Sequence, residues 1–169
     1  MIKIYIASDH GGLELKSKVL MELRSSTYAN HYETHDLGPQ SNESVDYPDY
    51  ADLVCKKMHG LRLINSNDTG NKDQSVEYKH FPVEFGILIC GSGQGMAMRA
   101  NKYLQIRAAL CWTPEIAKLA REHNDANILC LGARVTDHEL CLKIMQEFLK
   151  TNFAGGRHRQ RLVKVSSPV

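Results

Sequence analysis

Short apolar segments alternate with longer amphipathic segments along most of the chain. Most of the short segments are rich in Ile, Leu and Cys and are followed by Gly or polar residues, which is typical of buried strands. They predict strands at Ile2–Ala7, His31–Leu37, Phe85–Cys90, Ile106–Cys111 and Ile128–Leu131. Strands that are apolar at nearly every position indicate a parallel sheet that is covered on both faces.

The amphipathic segments predict the helices that cover this sheet. In the first of them, Leu13, Leu20 and Leu23 recur at helical spacing. The predicted helices are Gly12–Arg24, Pro48–Met58, Gln94–Asn101, Pro114–Arg121 and Asp137–Thr151. Because strands and helices alternate, we expect an open, doubly wound α/β sandwich with a parallel sheet of about five strands.

Two segments do not follow this alternation. Asn65–His80 is rich in Asn, Asp, Ser and Lys and has no apolar periodicity, which predicts a solvated insertion near 65–80. We interpret it as a surface loop, with a functional lid as the alternative. The second segment is a basic C-terminal arm near 152–164. We expect the 169 residues to form a single domain, 1–169.

The composition narrows the class of protein. Lys and Arg total 21 against 19 for Asp and Glu, and the resulting net charge of +2 is too small for a general nucleic-acid or membrane binder. No apolar stretch approaches the length that crosses a bilayer. The five cysteines lack C-x-x-C spacing, which favours free thiols in a reducing compartment. We therefore expect a cytoplasmic protein.

The segment Ile87–Met96 is the strongest candidate for chemistry. An apolar run ends at Cys90, and a loop with Gly91, Gly93 and Gly95 leads directly into a predicted helix. This order places a thiol at the carboxyl end of a buried strand, beside backbone N–H groups that can bind an anion. Such N–H groups stabilise a thiolate and an oxyanion. The simpler interpretation is a tight turn beside an inert, buried cysteine.

The other strand ends add groups that suit a phosphorylated ligand. Asp9 and His10 follow the first strand, Arg134 follows the last, and the C-terminal arm contains Arg157 and Arg161. Individually these residues are explained by helix capping or by surface charge. Together, at the carboxyl edge of a parallel sheet, they predict one site in which arginines bind phosphate and the thiol faces the reacting end.

The histidines do not indicate a metal centre. His123 ends a predicted helix, where a cationic cap is the simpler explanation. His31 and His35 lack the spacing of a zinc motif and are interpreted as exposed, and Asp137 with His138 as a helix cap. We expect no metal, and therefore acid–base or nucleophilic chemistry on a small phosphorylated molecule.

Eight segments, in order along nearly the whole chain, resemble the ribose-5-phosphate isomerase B family, which also contains allose- and galactose-6-phosphate isomerases. They are Ser8–Gly12, Asp46–Ala51, Ile89–Gly95, Ala100–Lys102, Ile106–Ala108, His123–Asn127, Gly132–Val135 and Gly155–His158. The insertion near 65–80 departs from the family, whose members have a shorter link there.

This resemblance implies an aldose–ketose isomerase of the non-oxidative pentose phosphate pathway, with ribose 5-phosphate and ribulose 5-phosphate as its substrates. It also implies a Rossmann-like three-layer α/β/α sandwich and the absence of a cofactor. The expected assembly is a homodimer or homotetramer with sites shared between subunits. A six-carbon sugar phosphate, such as allose or galactose 6-phosphate, is the close alternative.

The resemblance also implies a role for each site residue. Cys90 would be the base, because Met96 stands where some members have a catalytic Glu. Ser92 would assist proton transfer, and the N–H groups around Gly91, Gly93 and Gly95 would bind the enediolate oxygen.

The remaining roles concern the sugar ring and the phosphate. Asp9 and Tyr47 would contact the reacting end of the sugar. The ring would be opened by His123 with Asn124, supplied by the neighbouring subunit. The residues that would bind the phosphate are His10, Arg134, Arg157 and Arg161.

Three further alternatives remain open at this point. A non-catalytic phosphosugar-binding module would need the arginines and glycines but not Cys90, Ser92 and His123. Nucleic-acid binding through Arg157–Lys164 is disfavoured by the low net charge and by the absence of aromatic residues in that arm. A covalent intermediate on Cys90 is the last alternative. We expect neither a nucleic-acid nor a membrane partner.

Overall fold

A computed structural model describes residues 1–58 and 84–167 of the chain. The predicted insertion at Asn65–His80 therefore lies outside the described residues. The strands are β1 (Ile2–Ser8), β2 (Tyr32–Asp36), β3 (Glu84–Cys90), β4 (Ala108–Leu110) and β5 (Ile128–Gly132). The helices are α1 (Leu13–Leu23), α2 (Tyr47–Lys57), α3 (Gln94–Ala100), α4 (Pro114–Asn124), α5 (His138–Lys150) and α6 (His158–Val165), and a short 3₁₀ turn, His10–Gly12, precedes α1.

The five strands form one parallel sheet in the order β2-β1-β3-β5-β4, which confirms the predicted α/β architecture. The connections from β1 and from β3 lead to opposite sides of the sheet, so the strand order reverses between these two neighbours. Ser8 pairs with Ile89, and Cys90 pairs with Gly132, so the three central strands end at the same edge. In such sheets ligands bind beyond the carboxyl ends of the strands at this reversal.

Alternation along β1 divides the core into two layers. Ile4 and Ile6 point to the face that packs on α1, α4 and α5. Tyr5 and Ala7 point to the other face, where α2 and α3 pack. Burial on both faces accounts for the unbroken apolar run that predicted this strand.

Several element boundaries differ from the prediction. β4 is limited to Ala108–Leu110, because the N–H of Ile106 bonds within a turn to Tyr103 and that of Arg107 bonds to the side chain of Asn127. The fourth helix continues past Arg121 to Asn124, where a residue in the left-handed conformation ends it. The basic arm, predicted without secondary structure, contains the helix α6.

The two predictions about surface polar pairs have different outcomes. Asp137 is the N-cap of α5 and accepts a hydrogen bond from the N–H of Leu140, which confirms the predicted cap. The interpretation of both His31 and His35 as exposed is wrong for His35, whose ring is half-buried and stacks on Tyr5 with 5.1 Å between ring centroids. The ring is covered because β2 lies beside β1.

Among the described helices, none has the length and apolarity needed to span a membrane.

Candidate active site

The chain segments that leave β1 and β3 are bonded to each other at the carboxyl edge of the sheet. The N–H of Asp9 donates to the carbonyl of Ile89 over 3.0 Å. Asp9 is 9% exposed, and Cys90, the last residue of β3, is 5% exposed. A carboxylate and a thiol are therefore held side by side at the point where the strand order reverses.

The Cys90 sulfur has a backbone donor of its own. The N–H of Gly93 donates to Sγ over 3.1 Å, so the sulfur faces the positive end of an amide dipole. Gly93 has φ +77°, and a Cβ there would lie 2.5 Å from Leu110 Cδ1 and 3.0 Å from the backbone of Leu131. Only glycine fits this turn, so the glycine creates the contact between the amide and the thiol.

The other four cysteines have apolar surroundings and do not share this arrangement. Burial raises the pKa of Cys55 and of Cys111 to about 12 and that of Cys141 to about 11. Burial also raises the pKa of the fully buried Cys130 well above its ordinary value. These four groups stay thiols at neutral pH and belong to the hydrophobic core.

The loop after Cys90 leads into the first turn of α3. The hydroxyl of Ser92 is exposed and accepts from the N–H of Gln94 over 3.4 Å. The first N–H groups of a helix have no acceptor within it, so they are available to an anion. The Tyr47 ring packs over this turn: a Cβ built on Gly95 would lie 2.8 Å from the Tyr47 hydroxyl oxygen. The arrangement suits an oxyanion that forms next to the Cys90 sulfur.

Two buried oxygens at this edge have no hydrogen-bond partner among the described residues, and they are Asp9 Oδ1 and Ser8 Oγ. A buried polar atom without a partner is costly, so a donor from a ligand would stabilise this edge. Ser8 was not among the predicted site residues. Its position as the last residue of β1, one residue before Asp9, was the available signal.

Arg134 and His10 lie on the rim of the same edge. The guanidinium of Arg134 passes over Gly11, where a Cβ would lie 3.0 Å from Nη2, and its Cδ faces Gly91. His10 Nδ1 accepts from the N–H of Val45 over 3.3 Å, so in the neutral ring the proton is on Nε2. Both residues therefore offer N–H donors to a ligand near the Cys90 loop.

A buried ion pair supports this rim from behind. The Lys16 ammonium is 1% exposed and donates over 2.7 Å both to Asp36 and to the carbonyl of Pro39. The next carbonyl back along the chain, that of Gly38, accepts from the N–H of Ser8. Lys16 thus anchors the segment that leaves β2 against the end of β1.

His123 and Asn124 lie at the opposite edge of the sheet. α4 runs antiparallel to the strands, so its last residues are near the beginnings of β3 and β5. Just beyond them, the carbonyl of Asn127 accepts a hydrogen bond from the N–H of Gly86 in β3. Gly86 lies four residues before Cys90, so the two residues are separated by about 13 Å along the strand. Within one chain, His123 and Asn124 are therefore separated from the Cys90 thiol.

The arginines of the C-terminal arm accompany His123. The ring of His158 stacks on that of His123, with 4.4 Å between centroids and planes 8° apart. Partial burial lowers the pKa of His158, and the neighbouring His123, Arg157 and Arg161 lower it further. Sequence reasoning included His158 in a motif but assigned it no role. The predicted phosphate-binding residues thus form two pairs, one at each edge of the sheet.

The geometry excludes one kind of site in the part of the chain that the structure describes. No group of three or more His, Cys, Asp or Glu residues lies close enough together there to hold a metal ion. The carboxyl edge instead combines a thiol, an unpartnered carboxylate oxygen and backbone N–H donors. These are groups that move protons and stabilise oxyanions.

Comparison with known proteins identifies relatives that match nearly the whole chain. The family model described as Ribose/Galactose Isomerase matches residues 4–71 and 71–165. A probable ribose-5-phosphate isomerase B of Mycoplasma pneumoniae is 42% identical over 163 residues, covering 96% of this chain and 91% of that protein.

Two solved structures have the same fold. A ribose 5-phosphate isomerase from Thermotoga maritima has a TM-score of 0.77 and 45% identity, and the match covers 98% of this chain and 97% of that one. A ribose-5-phosphate isomerase B from Mycoplasma genitalium with bound ribulose-5-phosphate has a TM-score of 0.78 and 37% identity, covering 98% and 94%.

Proposed function

The chain belongs to the ribose/galactose isomerase family, and we propose that it interconverts ribose 5-phosphate and ribulose 5-phosphate through an enediolate, with Cys90 as the base. The observation that carries this proposal is the Cys90 thiol itself. It lies at the end of β3, almost fully buried, and its sulfur accepts the N–H of Gly93 over 3.1 Å. The Mycoplasma genitalium relative with bound ribulose-5-phosphate supports the choice of a five-carbon substrate.

The reaction needs one base that serves two neighbouring carbons. The Cys90 thiolate takes the proton from C2 of the open-chain aldose, and the electron pair moves onto the aldehyde oxygen to form the enediolate. The thiol then returns a proton to C1, and the C2 oxygen becomes the ketone. Because a proton next to a carbonyl is only weakly acidic, the enediolate must be stabilised while the base is close.

The loop of Gly91, Gly93 and Gly95 supports this stabilisation. The N–H of Gly93 donates to the Cys90 sulfur, and we propose that the N–H groups of this loop bind the negative oxygen that forms beside it. We propose that the Ser92 hydroxyl assists the transfer of protons between the sugar oxygens. Asp9 Oδ1, buried and without a partner among the described residues, is suited to accept from a sugar hydroxyl, and Tyr47 covers the same end of the sugar.

The remaining groups support a site built from two copies of the chain. His10 and Arg134 lie beside the Cys90 loop and would bind the phosphate from one copy. Arg157 and Arg161 lie at the opposite edge with His123 and Asn124, and we propose that a second copy supplies all four. His123 would then open the furanose ring beside the thiol of the first copy, in a homodimer or homotetramer with shared sites.

The first experiment is the conversion of ribose 5-phosphate in the presence of EDTA, with Cys90→Ala alongside. We expect the wild-type protein to be active and the variant to lose at least about a thousandfold in kcat, because removal of a general base costs up to about four orders of magnitude. Binding of inorganic phosphate, measured directly by calorimetry, should persist in the variant.

Cys55→Ala is the matched control, because it removes a buried thiol at which no proton transfer is proposed. Near-normal turnover by Cys90→Ala would remove the proposed base. An inactive wild-type protein would contradict the five-carbon assignment, and parallel assays with allose and galactose 6-phosphates would then test the six-carbon substrates.

A further inference from the structure

Three charged side chains lie buried at the end of α4, and the proposed mechanism uses none of them. Arg107 is 6% exposed, and Arg121 and Asp125 are each 5% exposed. Charges this deeply buried are stable only when they are paired and fully hydrogen-bonded. Their location directly after His123 and Asn124 suggests what this arrangement does.

Asp125 ends α4 in the left-handed conformation, with φ 44° and ψ 43°. It is the only non-glycine residue with positive φ among those described. Its N–H donates to the carbonyl of Arg121, and that of Ala126 donates to Ala120, which closes the helix. Glycine usually occupies such a position because it adopts positive φ at less cost. The contribution specific to aspartate is therefore its carboxylate.

The carboxylate of Asp125 joins the two arginines. Oδ1 accepts from Arg121 Nη1 over 2.7 Å, and Oδ2 accepts from Arg107 Nη2 over 3.2 Å. One carboxylate does not balance two guanidinium groups, so the surplus positive charge needs further acceptors. The carbonyls at the end of α4, where the helix dipole is negative, provide them.

These carbonyls belong to the residues of the turn itself. Arg107 Nε donates to the carbonyl of Asn124 over 3.1 Å and to that of Asp125 over 3.0 Å. Arg121 Nη1 donates to Ala126 over 2.7 Å. The carbonyls of the last helical turn ordinarily have no donor within the helix, and the turn frays. Here it is bonded from the core side, directly beneath His123 and Asn124.

The arginines are themselves held in place. The guanidinium of Arg121 lies over the rings of Phe85 and Phe148, 5.0 and 5.6 Å from their centroids. Its Nε also donates to the carbonyl of Thr151, at the point where the chain leaves α5. The anchor of the turn is thus part of the hydrophobic core rather than of the surface.

We propose that Asp125 is a positioning residue for the ring-opening step: through Arg107 and Arg121 it holds His123 and Asn124 in the orientation in which they act on the furanose form of the substrate. This inference rests on the function proposed above. Asp125 touches no substrate atom, so its loss should impair the opening of the ring and leave the proton transfer at Cys90 intact.

Ribulose 5-phosphate separates these two steps because it has no furanose form. In D₂O, the Cys90 thiolate removes a C1 proton from it, the thiol exchanges with solvent, and deuterium returns to C1. This exchange passes through the enediolate but requires no ring opening or closure. The experiment compares C1 exchange at saturating ribulose 5-phosphate with net conversion of ribose 5-phosphate.

The variant is Asp125→Asn, which keeps the size of the side chain and removes its charge. We expect conversion of ribose 5-phosphate to fall by about tenfold or more, as for other small displacements of a catalytic group. Exchange should stay within about twofold of wild type. The control is Asp52→Asn, which removes the carboxylate of the bidentate Asp52–Arg99 pair between α2 and α3 and should change neither rate.

The proposal is overturned if Asp125→Asn leaves the ratio of C1 exchange to ribose 5-phosphate conversion at its wild-type value, whether both rates fall equally or neither falls. It is also overturned if Asp52→Asn shows the same selective loss of conversion. Should Asp125→Asn not fold, Arg107→Lys, which keeps the charge and loses the forked donors, is tested against the same ratio.

The wild-type protein itself could lack C1 exchange or lack conversion of ribose 5-phosphate, and each result determines the next step. If the wild-type protein returns the C1 proton without exchange, the inhibition constant of an open-chain four-carbon aldonic acid phosphate replaces exchange, and we expect the variant to leave it unchanged. If the wild-type protein converts no ribose 5-phosphate, the proposed function itself is wrong.

Discussion

The carboxyl edge and the amino edge of the sheet are stabilised by different kinds of interaction. At the carboxyl edge the contacts depend on glycines in the backbone: one glycine loop brings the N–H of Gly93 to the Cys90 thiol, and the Arg134 side chain passes over glycines at two strand ends. At the amino edge the contacts are made by side chains: two buried arginines and an aspartate hold the end of α4 in place. One edge is therefore sensitive to added atoms and the other to lost charge.

Adding a single methyl group at Gly93 should displace the loop at the carboxyl edge and impair catalysis. In Gly93→Ala the new Cβ would meet Leu110 and the backbone of Leu131, and φ +77° disfavours any side chain. The loop must shift, so the Cys90 sulfur loses its donor. We expect kcat for ribose 5-phosphate to fall about a hundredfold, as on removal of an oxyanion donor.

Gly156→Ala is the matched control for this substitution. Gly156 also has a positive φ, +54°, but a Cβ there meets nothing within 4 Å. Both variants should lose thermal stability through the backbone cost, and Gly93→Ala should lose more. Full turnover in Gly93→Ala would mean that the thiol does not depend on the loop.

The two edges should work together only across different copies of the chain. Cys90→Ala and His123→Ala, each inactive alone, should regain activity when they are unfolded together and refolded. In a random mixture half of the dimers are hybrids, and each hybrid contains one intact site of two. We therefore expect about a quarter of wild-type activity. No recovery in a mixture shown by mass to contain hybrids would contradict sharing.

Acid should reveal the contribution of the buried ion pair between Lys16 and Asp36, which supports the carboxyl edge. Burial alone would raise the pKa of Asp36, but the hydrogen bonds from Lys16, Gly38 and Gln40 outweigh it and the pKa is lowered. A lowered pKa stabilises the fold above the unfolded-state value, near 4, and this stability is lost as the pH falls through the folded-state value.

The measurement is the free energy of unfolding in urea at pH 6 and at pH 3. The wild-type protein should lose about 1 kcal/mol more between these pH values than Asp36→Asn, which has no carboxylate to protonate. The exposed Asp49→Asn should follow the wild-type curve. Equal acid sensitivity in wild type and Asp36→Asn would show that the pair contributes nothing at this edge.

Local patterns in the sequence were enough to predict the carboxyl edge. The run that ends at Cys90, the glycines after it and the Asp9–His10 pair after β1 are each continuous in sequence. Parallel pairing then places the ends of neighbouring strands together, as the register between Ser8 and Ile89 shows. The roles of these residues in catalysis stay predictions until the variants are measured.

The amino edge was less predictable because its contacts join distant segments. Arg121 lies on the face of α4 that contains Ala117 and Ala120, but a charged residue in an amphipathic helix is normally read as exposed. Its burial depends on the rings of Phe85 and Phe148, which come from β3 and α5. Similarly, His158 stacks on His123 only because α6 folds back onto the end of α4.

The sequence by itself determined the sheet, the helices around it and the thiol-containing loop, because these depend on hydrophobic periodicity and on the backbone freedom of glycine. The tertiary structure alone decided the separation of His123, Arg157 and Arg161 from Cys90 within one chain. α4 returns the chain to the amino edge, so groups that we propose to act together lie at opposite ends of β3. Buried charges such as Asp125 also acquire their partners only when the core is assembled, since their pairing joins residues that no local pattern connects.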